Sequence, residues 1–159
     1  KIFGTLGVNG SANIFLLNPN GIVFGKDARL DVAGSFLATT ADSFVFKNGF
    51  KYSASISSSP PLLTVNLPIG LQFGELAEAI VNKSQAVDDF EQIVGIEVQP
   101  KQNITLVGGD VFLKGGYLTA PNGSIEIGSV KPNSLVDIAT TENNWQLNYE
   151  KINSFKLCE

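Results

Sequence analysis

Enzyme chemistry needs a nucleophile, a base or a metal cage, and this chain holds few of the residue types that supply them. It has no histidine and a single cysteine, Cys158. Ser/His and Cys/His pairs, and zinc or haem sites built on those ligands, are therefore removed from consideration. Carboxylates remain. Asp27, Asp31 and Asp42 could serve as acid and base on a glycosidic bond if one groove gathered them. Asp88, Asp89 and Glu91 could share a Ca²⁺. A polysaccharide lyase would also want a basic residue beside its acids. Arg29 is the only arginine, and nothing in the sequence places it there. Gly108-Gly109-Asp110 does not continue into the Gly-Gly-x-Gly-x-Asp calcium repeat. All these carboxylates are read as solvated turn residues, and no metal or cofactor is expected. Trp145 and Tyr149 could stack on a sugar, although a lone Trp in a tail more often packs across the side or end of a fold. Asn82-Lys83-Ser84, Asn103-Ile104-Thr105 and Asn122-Gly123-Ser124 match the glycosylation sequon and are read as chance matches.

The elements that must position these residues follow from composition. The 159 residues suffice for one domain with a sizeable core. Hydrophobic content is 43% against 16% charged, which excludes a disordered chain. Sixteen glycines, with many Asn, Ser and Thr, point to a β-rich, turn-rich fold. The net charge is −4, from 11 basic and 15 acidic residues, with no basic cluster. Nucleic-acid binding and anionic-membrane binding are not expected. No apolar run approaches the ~18 residues of a membrane helix, and no signal peptide is visible. The chain lacks Met and opens on Lys1-Ile2-Phe3-Gly4, which reads as mid-fold sequence. A processed product or a fragment is the expectation.

The stretch that sets the grammar is Ile14 to Ser35. Two apolar runs, Ile14 to Leu17 and Ile22 to Phe24, flank Asn18-Pro19-Asn20-Gly21. Pro19 presets φ, Asn20 tolerates the left-handed region, and Gly21 takes positive φ without steric cost. The Asn18 and Asn20 amides can hold the corner by bonding nearby backbone. Strand, sharp corner, strand is the prediction. Runs of about four residues recur at Phe44 to Phe46, Ile104 to Val107, Val111 to Leu113, Ile125 to Ile127 and Leu135 to Ile138, cut by Gly, Pro and Asn. Residues 51–61 fit a hairpin or a loop. Leu62 to Val65 favours β, and Pro68 places 52–73 outside the main sheet. Leu76 to Val81 fits a helical turn or a strand.

Runs this short, apolar at adjacent positions, suit a two-sheet sandwich poorly and a parallel β-helix well. In a β-helix Gly and Asn take the corners, and corner Asn side chains can bond one another along the axis. An internal echo points the same way: Phe24-Gly25-Lys26-Asp27 with Leu30 matches Val107-Gly108-Gly109-Asp110 with Leu113, and Pro-Asn-Gly occurs at 19–21 and 121–123.

Residues 4–43, GTLGVNGSANIFLLNPNGIVFGKDARLDVAGSFLATTADS, resemble the filamentous haemagglutinin N-terminal domain, the secretion domain of large exoproteins exported by two-partner secretion. The likeness is greatest to the cyanobacterial version. LLTVNLPIGLQFG (62–74) and LVGGDVFLKGGYLTAPNGSIEIGSV (106–130) resemble later parts of it. Asn18, Pro19, Asn20, Gly21 and Ile22 match the family's NPNGI signature, the candidate secretion and folding motif.

The resemblance implies an all-β fold, a right-handed parallel β-helix (solenoid) with small extra-helical strands. It implies a non-enzymatic module recognised by the POTRA domains of an outer-membrane β-barrel transporter. The exoprotein crosses unfolded, folds outside, and the domain seeds a longer solenoid. The parent is then a secreted or cell-surface adhesin, with a possible cell-surface or carbohydrate ligand. The family's N-terminal cap and earlier coils have no counterpart in residues 1–159. The alternatives are a β-helix enzyme acting on polysaccharide and a purely structural surface-layer segment.

Overall fold

A computed structural model describes residues 1–54, 67–141, 144–152 and 155. Apolar runs cut every few residues by Gly, Pro or Asn leave no length for long strands. Among the described residues there are accordingly sixteen strands of two to six residues and no helix. Leu76 to Val81, ambiguous in sequence, ends in a strand at Ile80.

Most strands pair in parallel, in three ladders. One joins β2 (Ile14–Leu17), β5 (Phe36–Thr39), β11 (Ile104–Gly108) and β14 (Ile125–Ser129), with Ile14, Phe36, Ile104 and Ile125 in register. The second joins β3 (Ile22–Phe24), β9 (Ile80–Asn82) and β12 (Val111–Leu113). The third is made by β1 (Thr5–Gly7) with β4 (Arg29–Asp31), and β10 (Ile96–Glu97) with β13 (Leu118–Thr119), β4 lying beside β10. The chain visits the ladders in a fixed order: β3, β4, β5, then β9, β10, β11, then β12, β13, β14.

A separate antiparallel sheet has the order β16-β15-β8-β6-β7. It comprises β6 (Ser43–Val45), β7 (Lys51–Ser53), β8 (Gly70–Gln72), β15 (Leu135–Thr140) and β16 (Trp145–Asn148). Residues 51–53 thus form a hairpin with 43–45, and 70–72 also lie outside the parallel ladders. Leu62 to Val65 and Cys158 lie outside the described residues.

Two cores result. Phe24, Phe36, Ile80, Ile96, Ile104 and Leu106 pack in one cluster between the ladders. Leu37, Phe44, Leu71, Val107, Val136 and Trp145 pack in another, between the first ladder and the antiparallel sheet. β5 and β11 are buried along their whole length because both their faces are covered. That is why their sequences are apolar at adjacent positions rather than alternating.

Two expectations need correction. The echoed segments are not equivalent: Phe24 is in register with Asn82, whereas Val107 is in register with Thr39 and Gly128 on a different ladder. Likewise the Pro-Asn-Gly at 19–21 leads into β3 and that at 121–123 leads towards β14. Such motifs encode a corner conformation, and each circuit has several corners. Among the described residues, the asparagines along the first ladder bond to backbone rather than to one another. Asn13 Oδ1 accepts from Ser35 N–H at 2.8 Å, Ser35 Oγ accepts from Asn103 N–H at 2.9 Å, and Asn103 Oδ1 accepts from Ser124 N–H at 3.0 Å. Asn and Ser alternate along this line because each side-chain oxygen meets a backbone donor of the neighbouring strand's lead-in.

Candidate functional site

The Asn18 to Ile22 corner is built from its own side chains. Gly21 N–H donates to Asn18 O at 3.2 Å, closing a four-residue turn with Pro19 in its second position. Asn18 Nδ2 donates to Gly21 O at 3.0 Å, and Asn18 Oδ1 accepts from Asn20 N–H at 3.2 Å. The residue in the left-handed region is Gly21, at φ 87°, and not Asn20, which keeps negative φ. The turn needs only one such residue, and Gly adopts that conformation most readily.

Neighbouring strands fix the corner at both ends. Asn18 N–H donates to Thr39 O at 3.0 Å, and Ile22 N–H donates to Ala79 O at 3.1 Å. Ile22 is buried in the first core cluster, Asn18 and Pro19 are half-buried, and Asn20 is exposed. Asp42, Ala54, Leu76 and Glu78 join Asn18, Pro19 and Asn20 around an open cleft of about 460 Å³. Leu76 is 73% exposed there. Local sequence gave no sign of these four residues, because they reach the corner through long-range pairing.

The candidate carboxylates separate. Asp42 lies at the corner cleft, and Asp27 is exposed in the turn after β3. Asp31 faces a second open cleft with Arg29, Asp88, Asp89 and Glu97. The lone arginine does therefore stand near carboxylates, which the sequence did not indicate. Burial, and then the nearby Asp88 charge, push the Glu97 carboxyl above its ordinary value. Asp88 Oδ1 accepts from Phe90 and Gln92 N–H, at 2.9 Å each, and so caps its own loop. Among the described residues, no group of three or more His, Cys, Asp or Glu could hold a metal ion.

Trp145 is buried, packs at a tilt against Phe15 with ring centroids 4.8 Å apart, and donates from Nε1 to Thr105 Oγ1 at 3.1 Å, leaving no face for a sugar. Tyr149 packs its ring on Phe155, with centroids 5.8 Å apart. Asn82 is wholly buried and bonded through both amide atoms, to Tyr117 O and Ser84 N–H, so this sequon is no glycan acceptor in the folded chain.

The geometry is that of a shaped corner beside an open cleft. No helix among the described residues is long and apolar enough to cross a membrane. No curated protein and no solved structure matches the chain. The family model of the TPS secretion domain matches residues 1–158. Such a domain is the secretion module of a two-partner-secretion exoprotein, exported across the outer membrane with a partner transporter, and not a catalytic domain. With the match running over almost all of its length, the chain belongs to the TPS secretion domain family.

Proposed function

We propose that residues 1–159 act as one right-handed parallel β-helical module, of the cyanobacterial type, that POTRA domains of an outer-membrane β-barrel transporter recognise. The parent is a secreted or cell-surface adhesin. Its chain crosses the barrel unfolded, and this module folds outside and seeds the stacking of further coils. The fixed order of visits to three parallel ladders supports the solenoid. Strands 51–53 and 70–72 stand outside it as extra-helical elements. Seeding is supported at β14, an edge strand on which Ile125 and Ile127, in register with buried Ile104 and Leu106, are left exposed.

The observation that carries the reading of Asn18, Pro19, Asn20, Gly21 and Ile22 is that Asn18 uses both amide atoms within its own turn. A side chain so engaged shapes the corner, and export depends on the motif through folding. A pulldown of Asn18→Ala protein with isolated POTRA domains tests this. Binding equal to that of the unaltered protein, with a lower unfolding midpoint, is the expected result. Loss of binding by variant that still folds would show direct reading of the motif and sink the folding role.

A further inference from the structure

The crossing from the second ladder to the third is short in two circuits. Gly25–Ala28 joins β3 to β4, and Lys114–Tyr117 joins β12 to β13. Between β9 and β10 the same crossing takes Lys83–Gly95. The additional residues make a hairpin of their own. Val87 and Ile93 form an antiparallel bridge, and Asp88 N–H donates to Gln92 O at 2.9 Å. Asp88 Oδ1 holds the Phe90 and Gln92 amides, and Glu91 N–H donates to Asp88 O at 3.1 Å. At the root, the Val94 and Gly95 amides both donate to Ala86 O. Gly95 has φ 68°, and a Cβ there would lie 2.3 Å from Tyr117 O, so only glycine closes this root. The hairpin's own bonds span few residues. None of these bonds is a pairing between circuits, although the root also meets the next circuit at Thr119, whose Oγ1 donates to Val94 O at 2.7 Å.

This ordered tip presents apolar side chains to water. Phe90 is 82% exposed, Ile93 50% and Val87 42%, and none belongs to either core. Asp89 and Glu91 flank Phe90, and Asp31, Asp88 and Glu97 line the cleft at the hairpin's foot, opposed by Arg29 alone. An exposed aromatic flanked by carboxylates is complementary to an apolar pocket with a cationic rim. It suits neither an anionic lipid surface nor the same tip of a second copy, since like charges would meet in both cases.

We infer that the 87–93 hairpin is a docking tip for the periplasmic domains of the partner transporter. Phe90 enters an apolar pocket there, and Lys or Arg side chains at its rim face Asp89 and Glu91. The inference rests on the secretion reading above and adds the contacting element.

The test is titration of the full chain against the purified periplasmic domains of its transporter, at low and moderate salt. Phe90→Ser is expected to weaken binding tenfold or more. The double variant Asp89→Lys, Glu91→Lys is expected to weaken it and flatten its salt dependence. Tyr52→Ser, which removes an exposed ring on the far sheet, is expected to bind as the unaltered chain does. Equal melting midpoints confirm that each variant is folded, as expected for side chains outside both cores. Binding undiminished by Phe90→Ser overturns the docking tip alone. No binding by the unaltered chain overturns the transporter reading, and the docking tip with it.

Discussion

Removing the Asn18 side chain takes away one donor and one acceptor inside the turn, yet both backbone partners sit at a half-exposed corner where water can replace them. Each bond is then at the low end of its range, about 0.5 kcal/mol, and the two together cost about 1 kcal/mol. Gly21 is a different case. Alanine at φ 87° meets the left-handed penalty of roughly 1–2 kcal/mol, which solvent does not relieve. Its Cβ would also stand 3.2 Å from Ala79 O, the carbonyl that accepts from Ile22. Gly21→Ala is therefore expected to lower stability more than Asn18→Ala, read from urea midpoints at unchanged slope. The reverse order would mean that the amide, and not the glycine conformation, sets the corner. Pro19 and Gly21 were legible in sequence because turn chemistry is local. The Ala79 carbonyl was not, since register rather than spacing brings it to the corner.

Elements were legible where burial is one-sided or complete, and obscure where a strand is polar or depends on a distant partner. β5 and β11 announce themselves as apolar runs. β4, Arg29–Asp31, is marked in sequence by Leu30, which packs against the first core cluster, while the exposed Arg29 and Asp31 are carried by backbone pairing with β1. β16 was hidden: its alternation of buried Trp145 and Leu147 with exposed Gln146 and Asn148 has meaning only against β15. β16 is also tied to the parallel ladder by Glu126 of β14, which accepts from Leu147 N–H at 3.4 Å and lies beside the Tyr149 hydroxyl. Burial pushes the Glu126 carboxyl above its ordinary value of 4.5, and the Leu147 and Tyr149 groups only partly offset it. Between the unfolded and folded values the folded state holds more protons. Stability therefore falls as pH rises from 4.5 through the folded value and then levels. Glu97 contributes with the same sign. Glu126→Gln keeps an acceptor for Leu147 and removes the charge. Chemical unfolding at pH steps from about 4 to 8 is expected to show a shallower decline for the variant, so that it gains on the unaltered protein as pH rises. Parallel curves for the two proteins would contradict the assignment.

At the scale of the whole molecule, stability is assembled from pairings between circuits, and these are distant in sequence. β2 and β5 join residues such as Ile14 and Phe36, and β11 and β14 join Ile104 and Ile125. The join of β5 to β11 is longer, Phe36 to Ile104, because the β6–β8 excursion lies between. Loop closure over about three times the length costs only about 1 kcal/mol more if the intervening chain is unstructured. The excursion reduces even that once Phe44 has paired with Leu71, for the loop is then short-circuited. The β6–β7 and β15–β16 pairings close the shortest loops, so they should form first, β6–β8 next and β5–β11 after them. Dependence on non-local pairing places folding in the slow range of milliseconds to seconds or beyond. On the proposed reading, in which the chain crosses the barrel unfolded, such a delay serves export. The order can be read by pulse-labelled hydrogen exchange during refolding from urea. Amides of β6 with β7 and of β15 with β16 should become protected before those of β5 and β11. Protection of β5 and β11 at the earliest time would mean that the ladder nucleates directly and that the excursion merely decorates it. In that case a substitution that blocks β6–β8 pairing without shortening the chain should leave the refolding rate of the ladder unchanged, whereas the expected order requires it to slow.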